Sequence, residues 1–396
     1  MNEYKKFSKK RILIWGYGRE GRSTERFLSK YCDPLSVDIF EGQRSDICDD
    51  DYDYVVKSPG IAMDEDNEKY TSQTQIFLEC FRDRTIGITG TKGKSTTSAL
   101  MHHVLVRGGK KAILLGNIGA PCLDYFGQMT GDDEIIAVFE MSCHQLAHLT
   151  VSPHIAFFLN LYEEHLDYYK TLDKYFDAKA HIARFMTASD NLFAGDNVPP
   201  LSTKAAVTVI DHTDIPSYDL RILGHHNDLN AHFVYTAAST LFGLEDKVIF
   251  DALSDFEGLP HRLQYIGTKD GIDFYDDSIS TIPSATIQAL SSVPNAKTVL
   301  IGGMDRGIDY GELTGFIDSN GGYEYIFAYA SGKRIYDSIK KAENCHLVKD
   351  LAEAVKLGIS LTPAGHALIL SPAAASYGDF KNFEERGDAF RNLCGL

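Results

Sequence analysis

The stretch Ile86-Gly87-Ile88-Thr89-Gly90-Thr91-Lys92-Gly93-Lys94-Ser95-Thr96-Thr97 reads as a short apolar strand, a glycine-rich turn and the first turn of a helix. Glycines let backbone N–H groups converge on an anion, and the helix that follows presents its positive end to the same point. Lys94 is placed to reach terminal phosphates, and the Ser95 or Thr96 hydroxyl to ligate Mg²⁺. The usual phosphate loop keeps four residues between its first glycine and the Gly-Lys pair. Here Gly90 is followed by only Thr91 and Lys92 before Gly93, so the strict pattern fails at Ile88 and the loop is a shortened variant. Gly-Lys-Ser-Thr between a strand and a helix still points to an ATP site rather than to an ordinary turn.

The rest of the chain is organised around that strand. Apolar runs alternate with helical patterns, which indicates α/β units with mostly parallel sheets. Strands are expected at Arg11 to Trp15, Leu35 to Phe40 and Tyr54 to Lys57, then at Thr85 onward, Lys111 to Leu115, Glu134 to Phe139 and Ile155 to Leu161. A further set, Leu263 to Tyr275, Lys297 to Ile301, Tyr325 to Ala328 and His366 to Leu370, follows a hinge-like Gly258-Leu259-Pro260-His261-Arg262. The expected organisation is therefore three α/β domains: a Rossmann-like one over 1–84, a central ATPase-like one over 85–258, and a second Rossmann-like one over 259–396.

Composition bounds the function. The 396 residues are 44% hydrophobic and 24% charged, as in ordinary globular domains. A net charge of −16 opposes nonspecific attachment to nucleic acid or anionic lipid, so anionic ligands need local cations or metal. The seven cysteines are odd in number and include no C-x-x-C pair, the pattern of reduced thiols in a cytoplasm. The basic start through Arg11 is followed by only Ile12-Leu13-Ile14-Trp15, far too short for a signal-peptide core or a membrane span. No membrane partner is expected.

Gly16-x-Gly18-x-x-Gly21 after the first strand, with Glu41 downstream, fits a dinucleotide fingerprint. Arg19 and Arg22 fit a diphosphate group equally well. A nucleotide-diphosphate substrate, a redox cofactor and simple packing stay open on these residues alone. In the central block, Glu140 ends an apolar strand, where a carboxylate near the phosphate loop suits Mg²⁺. His165 follows another strand, and Lys179 lies in a helical segment. Taken singly, His165 reads as a structural histidine and Lys179 as a solvated helix lysine.

Together and in this order the segments are diagnostic. The shortened loop, Glu140, Glu164-His165-Leu166-Asp167, Ala178-Lys179, Gly224-His225-His226-Asn227-x-x-Asn230-Ala231, Leu259-Pro260-His261-Arg262 and Asp277-Ser278 resemble the Mur ligase family across nearly the whole chain. This family comprises ATP-dependent amide ligases of cell-wall precursor synthesis and includes folylpolyglutamate synthetase. Ser371 to Ser376 and Phe380-Lys381-Asn382-Phe383-Glu384-x-Arg386-Gly387 resemble the members that join glutamate to UDP-N-acetylmuramoyl-L-alanine.

The resemblance implies a set of roles. Gly90, Thr91, Lys92, Gly93, Lys94, Ser95 and Thr96 would cradle ATP. Ser95 and Glu140 would hold one Mg²⁺, and His165 with a carbamylated Lys179 a second. Asn227 and Asn230 would face adenine, Arg262 the γ-phosphate and Asp277 the ribose, with ATP between two domains that close. Gly18, Arg19, Glu20, Arg22, Ser58 and Asn117 would bind the UDP-muramoyl substrate; Thr281, Arg306, Ser376 and Phe383 would bind glutamate. A cytoplasmic monomer acting on small molecules, with no nucleic-acid partner, is expected.

Some positions depart from the family. Asp277-Ser278-Ile279-Ser280-Thr281 lacks a lysine common there, Met304-Asp305-Arg306 replaces a common Asp-Gly-Lys, and Lys92 stands where Asn is frequent. These changes bear on which glutamate enantiomer is used. A ligase acting on folate or another acceptor, and an ATP-binding scaffold without turnover, are the alternatives from other classes.

Overall fold

The computed structural model describes residues 3–63, 67–117, 119–164, 166–224, 226–340 and 343–396. It divides into two compact units, Met1–Asp219 with His225–Asp255, and Leu220–Gly224 with Phe256–Leu396.

The first unit carries two sheets. One contains β1 (Arg11–Trp15), β2 (Ser36–Phe40), β3 (Tyr54–Lys57) and β4 (Tyr70–Thr71), all parallel, in the order β2-β1-β3-β4. The other contains β5 (Thr85–Thr89), β6 (Ala112–Gly116), β7 (Ile136–Glu140), β8 (Ile155–Phe158), β9 (Asn191–Gly195) and β10 (Ala206–Ile210), again all parallel, in the order β10-β9-β8-β5-β7-β6. Strands β5 and β8 are buried along their whole length, because helices cover both faces and leave no polar side to alternate with. Successive strands leave β5 first toward β6 and later toward β8. The loop after β5 thus sits where the winding order reverses, which is where such sheets open a crevice beyond their C-terminal strand ends.

The two sheets share one apolar core. Phe126, from the segment after β6, meets Phe27 of the first sheet's helix at 4.8 Å between ring centres and Phe81 at 5.1 Å, and Phe77 meets Phe139 of β7 at 5.6 Å. These edge-on ring pairs are all buried, in one continuous cluster.

The second unit is a mixed sheet: β11 (Gln264–Lys269), β12 (Ile272–Asp276), β13 (Ala296–Ile301), β14 (Glu324–Phe327), β15 (Cys345–Leu347) and β16 (Ala367–Leu370), in the order β11-β12-β16-β13-β14-β15. Only β11 and β12 pair antiparallel. The single strand expected over Leu263 to Tyr275 is in fact this hairpin. Asp270 and Gly271 both adopt positive φ, 53° and 79°, as a tight hairpin turn demands.

Gly302, at the end of β13, has φ 121°, and a Cβ there would lie 1.9 Å from the Ala328 carbonyl oxygen. Gly302→Ala should therefore lower the stability of this unit by about 2–4 kcal/mol, read as an earlier thermal transition. An unchanged melting curve would contradict the close approach.

Candidate active site

The loop after β5 is held from below. The Asn160 side chain accepts from Lys92 N at 2.9 Å and donates to Lys92 O at 3.1 Å, while Thr91 N donates to Asn160 O at 3.0 Å. Gly93 caps the helix Lys94–Arg107 in the left-handed region, φ 83°, and a Cβ on it would meet Asn230 Oδ1 at 2.5 Å. Asn230 also accepts from Thr97 Oγ1 at 3.1 Å and donates to Asn227 Oδ1 at 2.9 Å. Both asparagines are buried, and Asn230 abuts the loop at Gly93. Ser95 and Thr96 are half-buried in the first helical turn. Lys94 folds its Nζ onto the carbonyls of Gly90 (3.0 Å) and Thr91 (2.9 Å), so its charge lies on the loop itself.

Two further groups converge there. The helix Leu172–Arg184 starts with Thr171 capping Lys174 N and packs on β5 and β8. It delivers Lys179, 1% exposed, whose Nζ donates to Gly90 O at 2.7 Å and lies 4.7 Å from the Tyr175 ring centre. Burial, reinforced by the neighbouring Lys94 cation, lowers the Lys179 amine to about 7. A lysine with that value is half neutral at physiological pH.

Glu140 ends β7 directly beside Ile88 of β5 and is fully buried. One carboxylate oxygen accepts from Asn117 Nδ2 at 2.9 Å; Oε2 is buried without a partner among the described residues. An unsatisfied buried carboxylate oxygen is costly unless something else occupies its lone pairs. Together with the hydroxyls of Ser95 and Thr96, this hard oxygen donor set fits a divalent cation such as Mg²⁺. His165 and His225 lie outside the described residues.

The first sheet brings its turn to the same unit. Ser58 Oγ donates to Gly16 O at 3.0 Å, Arg19 Nη2 to Gly119 O at 2.6 Å, and Arg22 Nη1 to Tyr17 O at 3.1 Å. Glu20 Oε1 accepts from Gln145 Nε2 at 2.9 Å, and burial raises the Glu20 carboxyl above its ordinary range. Gly18 faces open space. Sequence reasoning passed over Lys57, which sits at the end of β3, buried, with Nζ on the Ile61 carbonyl at 2.7 Å and lowered by burial to about 8. Its place immediately before Ser58-Pro59-Gly60 was the available signal.

In the second unit, Asp277 follows β12 and is buried. It accepts from Ser371 Oγ at 2.7 Å, from Leu263 N at 3.0 Å and from Ser280 Oγ, and burial raises it to about 6. Arg386 lies 1% exposed and donates to Ser278 O (2.7 Å), Ser278 Oγ (3.0 Å), Ala374 O (3.0 Å) and Ala375 O (3.3 Å). It ties the strand end at Asp277-Ser278 to the loop bearing Ser376. His261 Nδ1 meets Asp276 Oδ2 at 2.7 Å beside the exposed Arg262. Thr281 and Phe383 are half-buried, Ser376 is buried and Arg306 is exposed. The structure thus gathers Lys94, Lys179, Glu140 and Asn117 on one sheet edge of the first unit, and Asp277, Ser376 and Phe383 around Arg386 and Ser278 in the second.

Known proteins share this architecture. A Mur ligase, UDP-N-acetylmuramate-alanine ligase MurC from Thermotoga maritima, superposes with TM-score 0.59 at 20% identity, over 97% of this chain and 98% of that one. MurF from Thermotoga maritima in complex with ADP gives 0.60 at 14% identity, over 100% and 97%. Residues 88–199 match the model of the Mur ligase middle domain. The UDP-N-acetylmuramoylalanine--D-glutamate ligase of Streptococcus thermophilus (strain CNRZ 1066) is 31% identical over 446 aligned positions, 98% of each chain. That of Streptococcus pyogenes serotype M49 (strain NZ131) is 34% identical, over 97% of this chain and 96% of the relative. The chain belongs to the Mur ligase family. Among the described residues, no helix is long and apolar enough to cross a membrane.

Proposed function

We propose that this chain is an ATP-dependent amide ligase that adds D-glutamate to UDP-N-acetylmuramoyl-L-alanine in peptidoglycan precursor synthesis. The observation that carries the reading is the convergence of Lys94, buried Lys179 and the half-satisfied Glu140 on one phosphate loop, in a chain that matches relatives named for that reaction over almost its whole length.

The substrate's alanyl carboxylate attacks the γ-phosphorus of ATP, releasing ADP and leaving an acyl phosphate. The glutamate amine then attacks that carbonyl, expels inorganic phosphate and loses a proton to form the amide. Every reactant is anionic, so the chain's task is to place fixed positive charge where negative groups meet. Gly90 to Lys94 receive the phosphates through backbone N–H groups and the Lys94 ammonium, with Lys92 and Thr91 shaping the loop. Ser95 and Glu140 would hold one Mg²⁺, with His165 and Lys179 supporting a second; bound Mg²⁺ would supply Lewis-acid polarisation of the phosphoryl oxygens.

For Lys179 that support requires a carbamate: the neutral amine adds to CO₂, forms an N–C bond and releases a proton. Its burial beside Lys94 keeps the amine neutral enough to do so. Asn227 and Asn230 face the adenine, Arg262 the γ-phosphate and Asp277 the ribose. In this reading residues 1–84 bind the UDP part through Gly18, Arg19, Glu20, Arg22 and Ser58, Asn117 contacts the muramoyl part, 85–258 bind ATP, and 259–396 bind glutamate through Thr281, Arg306, Ser376 and Phe383. The protein acts as a monomer in the cytoplasm.

The test is ADP release from ATP, Mg²⁺ and UDP-N-acetylmuramoyl-L-alanine with D-glutamate, L-glutamate or D-aspartate. Turnover with D-glutamate is expected; turnover with L-glutamate alone would reassign the stereochemistry, and none with any of the three would reject the reading. Arg306→Ala should raise the KM for glutamate at least about tenfold while leaving that for ATP within about twofold, since a charged contact to carboxylate is lost. Equal effects on both would remove Arg306 from the glutamate site.

A further inference from the structure

Arg306 sits in a chain segment that contains its own competitor. Asp305 immediately precedes it, and an aspartate beside an arginine on an exposed loop is a ready internal counter-ion. In this structure Asp305 is taken elsewhere. Arg334, on the helix Tyr329–Ser338, grips it with two bonds, Nε to Oδ2 at 2.6 Å and Nη2 to Oδ1 at 2.7 Å. Arg334 Nη2 also donates to Ile308 O at 2.8 Å, and the guanidinium lies 4.7 Å from the Tyr310 ring centre. Gly307 N adds a bond to Asp305 Oδ1 at 2.9 Å. The other nearby carboxylate, Asp309, accepts from Gly311 N at 2.9 Å.

The segment is anchored at its start as well. Gly303 N donates to Ser331 Oγ at 2.9 Å, Ser331 N to Gly303 O at 3.1 Å, and Met304 N to Ala375 O at 2.9 Å. The helix that carries Arg334 therefore also fixes the backbone leading to Arg306. Arg306 itself is exposed and has no ion-pair or hydrogen-bond partner among the described residues.

We infer that Arg334 is a positioning residue for amino-acid recognition: by sequestering the Asp305 carboxylate in a two-point pair, it leaves the adjacent Arg306 guanidinium unneutralised and available to the carboxylate of an anionic amino acid. The inference rests on the assignment of Arg306 to the glutamate site. The pair is partly solvent-exposed, so its contribution to folding stability is small and its value lies in which cation Asp305 occupies. A planar guanidinium suits this task because it satisfies both carboxylate oxygens at once, which an ammonium cannot.

The experiment is a double-substitution series with steady-state kinetics on the full chain. Arg334→Gln frees Asp305 to pair with Arg306, and the KM for glutamate should rise about tenfold, with kcat and the KM for ATP within about twofold. Adding Asp305→Asn to Arg334→Gln removes the competitor and should bring the glutamate KM back to within about threefold of the unsubstituted protein. Arg334→Lys, which keeps charge but not the fork, should fall between. A merely structural role for Arg334 predicts no recovery in the double variant, and that result, or an unmoved KM in Arg334→Gln, would overturn the inference. Melting curves of all three variants should stay close to that of the parent. Absence of turnover in the unsubstituted protein with every amino acid tried would remove the glutamate reading itself, and this inference with it.

Discussion

Lys179→Ala removes turnover, with kcat down at least about a hundredfold, the scale of losing one electrostatic element of an active site. Short carboxylic acids such as formate or acetate should partly restore it if the proposed carbamate is the missing group, because they place a carboxylate in the space vacated beneath Gly90; no rescue would leave the carbamate unsupported. If Lys179 carries the proposed carbamate, the unsubstituted protein stripped of CO₂ should regain activity when bicarbonate is added, and less readily as pH falls below about 7, where the amine becomes an ammonium.

Stability follows pH in the same direction. The buried amine titrates at about 7 in the fold and near its ordinary value of roughly 10.4 in the unfolded chain, so between these values the unfolded state holds more protons. Stability attributable to Lys179 thus rises with pH across that window, and the penalty of burying it is fully present below pH 7. Lys179→Met should consequently melt no lower than the parent at neutral pH while being inactive. Loss of folding in Lys179→Met, or full activity in Lys179→Ala, would separate this residue from the chemistry.

Glu140→Gln is the second large effect. The amide is isosteric and its oxygen can still accept from Asn117, but it places an N–H₂ where the unpartnered Oε2 now lies. A cation that needs that oxygen meets a donor instead. The expected outcome is kcat lower by about 10²–10³-fold and a markedly higher Mg²⁺ requirement, measured by titrating Mg²⁺ at saturating substrates. Folding should be unharmed or improved, since a buried carboxylate oxygen without a partner opposes stability. An unchanged Mg²⁺ response would show that Glu140 is a structural acid.

Most of this architecture could be read from residues alone. Apart from β4, the parallel strands from Arg11 to Phe158 stand within a few positions of expectation, because buried strands in α/β units are unbroken apolar runs with glycine or polar residues at their ends. The same logic exposes Lys94 and Glu140, one just beyond a strand end and the other closing a strand, since parallel strands bring those ends to one edge; Asn117 came from the family resemblance. What failed did so for physical reasons. The hairpin at Asp270-Gly271 was read through because apolar character continues on both sides of the turn. Strands β4, β9, β10 and β15 were not expected either; β4 and β15, at two and three residues, are too short to carry a periodicity. Lys179 acquires meaning only from tertiary packing, since nothing in its helix says that a lysine faces inward. Asp305 and Arg334 are 29 residues apart, and no local pattern links them.

The edge-on ring contacts that Phe126 makes with Phe27 and Phe81 have a practical consequence for anyone recombining these enzymes. The segment 1–84 cannot be swapped as a cassette cut near residue 84, because Phe126, part of the wall it packs against, is encoded beyond the cut. A chimaera between this chain and a relative must exchange both sides of that wall together.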